Sequence, residues 1–293
     1  MNRSLLNPGE YIKVGFMAFE RMGLWPLDYR PVRYDGSKLE FRGPQRTLSG
    51  DFIACLGGTE TYGTFIDRPY PDLMERSLGL SCVNFGWPNA GVDAFLKDEG
   101  LLRMASRGRA VVLQVPGAMN LSNPFYKVHP RRNDRFLEAT PRLRRLYPEV
   151  DFTEFHFTRH MMRRLEDIST DRFAVLREGL QEVWVERMQV LLQEIDAPVI
   201  LMWFSRHAPG LGYQSSGVAD DPAFVSRAML RAVGGGASHV VEVVISDEAC
   251  AQGTRGMRFG AMQESVAADL PGLLAHSEAS RAVSPILEAL LAQ

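Results

Sequence analysis

Cysteine is scarce in this chain and odd in number, with three in 293 residues, at positions 55, 82 and 250. That count excludes a disulfide-stapled secreted fold, and Cys55 and Cys82, in or beside apolar runs, read as reduced and buried. Charge of one sign is also lacking. A formal net charge of −2 and a pI near 6.3 argue against general nucleic-acid binding, which needs a strongly basic face. No apolar run reaches the ~20 residues that cross a bilayer, and Met1-Asn-Arg-Ser-Leu-Leu-Asn-Pro-Gly9 lacks the apolar stretch of a secretory signal. A cytoplasmic protein with no membrane span is expected. Internal repeats and low-complexity segments are absent too.

What is present is enough apolar material, 45% of the residues, for a full core in one large domain. Five short apolar runs, at 51–56, 81–85, 110–115, 198–204 and 239–245, read as strands. Their Val, Ile, Leu and Phe content without strict alternation fits strands covered on both faces, as in a parallel sheet. Helical patterns separate them at 71–78, 92–106, 175–194 and 222–232, and a last helix is expected from about 278 to 291. The alternation predicts an α/β fold, a flavodoxin-like doubly wound parallel sheet of about five strands in the order 2-1-3-4-5. Residues 51–293 form that domain. Residues 1–50 read as an N-terminal extension packed on the core, with a short helix over 10–22. A long excursion at about 121–171 reads as a helical insertion, either a lid over the carboxyl rim or an interface for homo-oligomers.

The first apolar run leads directly into a glycine-flanked hydroxyl in Phe52-Ile-Ala-Cys-Leu-Gly-Gly-Thr-Glu-Thr-Tyr-Gly63. A strand ending in paired glycines turns sharply, and a following helix points amide groups back at the turn. Thr59 is thereby placed either as a nucleophile or as a helix cap. The second run ends in Cys82-Val-Asn-Phe-Gly-Trp-Pro-Asn-Ala-Gly91, the third in Gly117-Ala-Met-Asn120, and His276 stands at the entry to the last helix.

These four segments, in this order, resemble the conserved blocks of the SGNH (GDSL-like) hydrolases and acyltransferases. More narrowly, the run from Phe41-Arg-Gly-Pro to Val128-His-Pro-Arg-Arg-Asn-Asp-Arg-Phe136 resembles an uncharacterised bacterial family of SGNH-like proteins common in marine and photosynthetic alphaproteobacteria. The resemblance implies an ester hydrolase or O-acyltransferase acting on an acylated glycan or other small metabolite. Thr59 would be the nucleophile, His276 the base, and Gly86 and Asn120 the oxyanion donors. Gly58, Thr59, Leu121 and Leu273 depart from the family pattern, which normally has Asp, Ser, Asp and Asp there. The alternative is a catalytically silent SGNH-fold module that binds a glycan, an anionic ligand or a protein partner.

Arginines cluster in the excursion, and Arg131 and Arg132 are candidates for binding an anionic substrate group, with ion pairing to neighbouring carboxylates as the competing reading. The aromatic residues Phe125, Tyr126, Phe136, Tyr147, Phe152, Phe155 and Phe157 are expected to anchor it. His156 and His160, one helical turn apart, read as packing residues, so no metal site is expected. Gly234-Gly-Gly236 precedes a strand and is no dinucleotide fingerprint, and no cofactor is expected.

Overall fold

The computed structural model describes residues 27–210 and 216–292; the helix expected over 10–22 lies outside them. Five parallel strands form one sheet: β1 (Phe52–Gly57), β2 (Ser81–Gly86), β3 (Ala110–Gln114), β6 (Val199–Ser205) and β7 (His239–Val244), in the order β2-β1-β3-β6-β7. Counting only the strands of this sheet, that is the expected 2-1-3-4-5. The remaining pair, β4 (Tyr126–Val128) and β5 (Phe136–Ala139), is an antiparallel hairpin within the excursion.

Strand periodicity explains why both faces need cover. In β1, Phe52, Ala54 and Leu56 join one apolar cluster while Ile53 and Cys55 join the other, and β3 and β6 divide their side chains the same way. One cluster is sealed by α2 (Tyr70–Leu78), α9 (Asp247–Gln252) and α11 (Leu273–Leu291). The other takes α3 (Val92–Leu96), α4 (Glu99–Ser106), the long α7 (Thr170–Gln193), α8 (Arg227–Gly234) and the excursion. The short α1 (Thr59–Tyr62), α5 (Pro141–Leu146), α6 (Thr158–Ile168) and α10 (Glu264–Asp269) complete the described helices.

The helices expected from 175 and 278 each begin five residues earlier, at Thr170 and Leu273, and two others differ from the sequence reading for local reasons. The single helix expected over 92–106 is broken after Lys97, because the Asp98 side chain caps α4 at Leu101 N (2.9 Å) and also accepts from Ser37 Oγ and Lys38 N (2.8 Å each). The helix expected over 222–232 begins only at Arg227, where Ser226 accepts from Met229 N as its cap. The excursion is mixed rather than purely helical, since it opens with the β4–β5 hairpin. Six of its seven aromatics are buried as anchors, and His160 packs edge-on against Phe155. Phe157 remains 46% exposed, and it lines the cavity described next.

Candidate functional site

The carboxyl ends of β1 and β3, where strand order reverses, open onto a cavity of about 570 Å³. Thr59 and Asn120 both line it. Gly58 is the cap residue of α1, so Thr59 is the first helical residue and its N–H is one of the donors a helix start leaves unpaired. The Thr59 hydroxyl accepts from Asn89 N (3.0 Å) and faces Asn89 Oδ1 as a donor at 3.3 Å. Asn89 adopts a left-handed backbone, φ 57°, which turns its N–H toward that hydroxyl. Asn120 closes the group: its Nδ2 donates to Asn89 O (3.4 Å) and its Oδ1 accepts from Thr158 Oγ1 (2.7 Å).

Gly86 is placed differently from its expected role. Its N–H donates to Asn84 Oδ1 (2.9 Å), and Gly86 does not line the cavity. The absent side chain matters instead, because a Cβ there would lie 2.2 Å from the Tyr62 backbone nitrogen, where α1 rests on β2. Gly86→Ala is therefore expected to destabilise the protein by about 2–3 kcal/mol, since backbone rather than a flexible side chain must give way. Urea unfolding measures this; a change below about 0.5 kcal/mol would mean that α1 can lift without cost.

His276 sits in the first turn of α11, as expected, but is only 1% exposed and does not line the cavity. Its ring stacks on Tyr70 and meets Phe204 edge-on, and its Nδ1 accepts the Tyr70 backbone N–H (3.2 Å). A backbone amide can only donate, so Nδ1 carries the lone pair and the neutral ring's proton is on Nε2. Burial, with the positive charge of Arg42 behind it, pushes the imidazole down to about 3.

The polar groups that do converge on the cavity are mostly ones the sequence left unmarked. Gln114, the one polar side chain of β3, is 94% buried; its Oε1 accepts from Gly58 N (3.1 Å), Thr61 N (3.2 Å) and Thr61 Oγ1 (2.5 Å). Its Nε2 donates to Glu60 Oε2 (2.7 Å), which fixes that carboxylate beside Thr59. Asp221 is held by Arg159 through both oxygens (2.9 and 2.8 Å), and Asp134 and Asp269 also line the cavity. Burial raises the Glu60 carboxyl, and the negative charge of Asp221 raises it further, against the Gln114 hydrogen bond. Burial likewise raises Asp221, with Arg159 opposing. Asp221 keeps 57% of its side-chain surface open to solvent, so the shift has a direction but little energetic weight until something fills the cavity.

A polar residue ending a buried apolar strand was the available signal for Gln114, and Glu60 sat inside the first motif. Asp221 carried none, and Arg159 was marked only as one of the arginines of the excursion, because these two reach the cavity from a distant loop and helix. Arg131 and Arg132 do not line this cavity; they line neighbouring ones. No curated protein matches the chain. A family profile covers residues 17–291, nearly all of the sequence, and the chain belongs to the family described as a domain of unknown function, DUF6473.

Proposed function

We propose that this protein is an SGNH-like binding domain whose rim cavity takes the uncharged, hydroxyl-rich part of a glycan or sugar derivative, without Thr59 serving as an acyl-transfer nucleophile. The observation that carries the reading is the pairing of the Thr59 hydroxyl. Both of its bonds go to Asn89, whose amide cannot take up a proton, and among the described residues no histidine lines the cavity. A hydroxyl becomes a nucleophile only with a base in reach, and none of the carboxylates that line the cavity hydrogen-bonds to the Thr59 hydroxyl. His276, the base that the resemblance implies, has its lone pair committed to the Tyr70 N–H.

The lining favours hydroxyl-rich ligands. Glu60, Asp134, Asp221 and Asp269 supply acceptors and Arg159 is the one guanidinium among them, so the potential in the cavity is negative and repels anions. Amides at Asn89 and Asn120 offer a donor and an acceptor side by side, and Phe65 and Phe157 add apolar faces. Sugars present matching surfaces.

Wild type and Thr59→Ala are expected to hydrolyse short-chain aryl esters equally, at the buffer rate. In saturation-transfer NMR against a panel of neutral mono- and disaccharides, at least one should bind, about tenfold more weakly to Asn120→Ala. Turnover that depends on Thr59 would restore the ester-transfer reading, with Asn120 as an oxyanion donor. A panel without a single binder removes the glycan.

A further inference from the structure

Beside the rim cavity lies a second one of about 380 Å³, which shares Pro88, Asn89, Asp134 and Phe157 with it. A third, of about 400 Å³, shares Glu40, Trp87, Arg132 and Arg135 with the second. The three form one track, and its charge reverses along the way. The far end is lined by Arg33, Lys38, Arg131, Arg132 and Arg135, with Glu40 as the single carboxylate. Arg33 neutralises Glu40 (2.8 Å). Lys38, Arg131, Arg132 and Arg135 have no carboxylate within ion-pairing distance among the described residues; Arg135 lies over the Phe157 ring, 5.5 Å from its centre. In a chain with net charge −2 these cations outnumber the carboxylates that face them, Glu40 and, from the adjoining cavity, Asp134, whose carboxyl feels the charges of Arg135 and Arg132, so the groove has charge to spare for a further anion.

The loop that carries Arg131, Arg132 and Arg135 is rigidly built. Asn133, fully buried, accepts from Gly91 N (2.9 Å) and Ala94 N (3.1 Å), while its Nδ2 donates to His129 O (3.0 Å). His129 Nδ1 accepts from Arg131 N (3.2 Å) and Arg132 N (3.1 Å), and Trp87 Nε1 donates to Arg131 O. With Nδ1 accepting, the ring N–H of His129 is on Nε2, and the residue lines the groove. Fixing the backbone in advance lowers the entropy lost when guanidiniums close on an oxyanion.

We infer that this basic groove is a subsite for a phosphate or sulfate group, and that the full ligand is an acidic saccharide: its hydroxyl-rich part in the rim cavity, its oxyanion at Arg131, Arg132 and Arg135. The saccharide half rests on the function proposed above; the oxyanion half stands on the groove alone. The test titrates the full-length protein at low salt with inorganic phosphate and inorganic sulfate by calorimetry, then repeats the saccharide panel with phosphorylated and sulfated counterparts. Wild type should bind the inorganic anions, and Arg131→Ala/Arg132→Ala should bind them about tenfold more weakly or worse, whereas Arg163→Ala/Arg164→Ala, at two arginines exposed on α6 that line none of the three cavities, should leave binding unchanged. Acidic saccharides should outbind their neutral counterparts in wild type and lose that advantage in the Arg131/Arg132 variant. Anion binding that is absent, or equal in all three proteins, overturns the subsite. Retention on a heparin column and on single-stranded RNA without small-anion binding also overturns it, because it marks a general polyanion surface. Anion binding that survives while no saccharide binds sinks the rim-cavity reading and the acidic-saccharide assignment, leaving the oxyanion subsite.

Discussion

Lowering the pH from 7 toward 4 is expected to remove stability through His276, by an amount on the order of 4 kcal/mol once the histidine of the unfolded chain is fully charged. The folded ring is held neutral to about 3, whereas the unfolded ring takes a proton near its ordinary 6.5. The unfolded state therefore binds more protons throughout that interval, and stability present above pH 6.5 is lost progressively below it. The carboxyls of Glu60, Asp134 and Asp221 act in the opposite sense: their raised values favour the fold when protonated, a contribution lost as pH rises through them. A single titration curve mixes the two. His276→Gln separates them, since glutamine keeps an acceptor for the Tyr70 N–H but cannot charge. At pH 8 the variant should be less stable by about 1–2 kcal/mol for its lost ring packing, and the gap should close or reverse by pH 4.5. Parallel curves for the two proteins would mean that the imidazole is solvated in a way its 1% exposure denies.

That burial also explains why the sequence misleads at this position. A histidine at the entry to a final helix reads as a base from spacing alone, and the helix does begin at Leu273, so the position is right. The orientation is set by Tyr70, 206 residues away, whose backbone N–H fixes the ring in the core; no local pattern records that contact. The parallel sheet was legible for the converse reason: four of its five strands are covered on both faces, and burial on both sides leaves a continuous apolar run that any short window detects, whereas the edge strand β7, expected to be covered too, is largely exposed and was legible only by its valines. β1, expected over 51–56, spans Phe52–Gly57, and β6, expected over 198–204, spans Val199–Ser205. The break at Asp98 and the hairpin in the excursion were not legible. Asp98 breaks a good amphipathic pattern to take up Ser37 and Lys38, and β4 and β5 have three and four residues, too few to establish a period.

The candidate site divides along the same line. Thr59 and Asn120 follow strands and could be placed by the strand-end rule, and both reach the cavity. Arg159 and Asp221 meet across 62 residues, from the start of α6 and from the loop before α8. Their pairing exists only in the fold. The charge of Arg131 and Arg132 was likewise undecidable from sequence, because closeness in the chain does not settle pairing: Asp134 feels the charge of Arg132 but takes its hydrogen bond from Asn89 Nδ2 (3.3 Å), and Glu149, farther along, pairs with Arg172.

Gln114→Leu is expected to cost about 3–5 kcal/mol and to abolish ligand binding in the rim cavity, because one side chain satisfies several groups that nothing else reaches. Leucine fills a similar volume in the buried strand, but it leaves Gly58 N, Thr61 N and Thr61 Oγ1 without the acceptor they share and frees Glu60 from its Nε2 donor. Of these, Thr61 Oγ1 retains Tyr70 OH at 2.9 Å, which is why the expected loss is smaller than four separate deletions suggest. Gln114→Glu gives the sharper test. It keeps an acceptor for the three donors but sets a second carboxylate against Glu60 Oε2, where the amide now lies at 2.7 Å. The two oxygens can stay that close only with a proton between them, so the variant should approach wild-type stability near pH 4.5 and fall progressively below it as the pH rises to 8. Thermal unfolding across that range measures the divergence. If Gln114→Glu tracks wild type at every pH, Glu60 has swung away from β3, and the carboxylate beside Thr59 is not held there by Gln114.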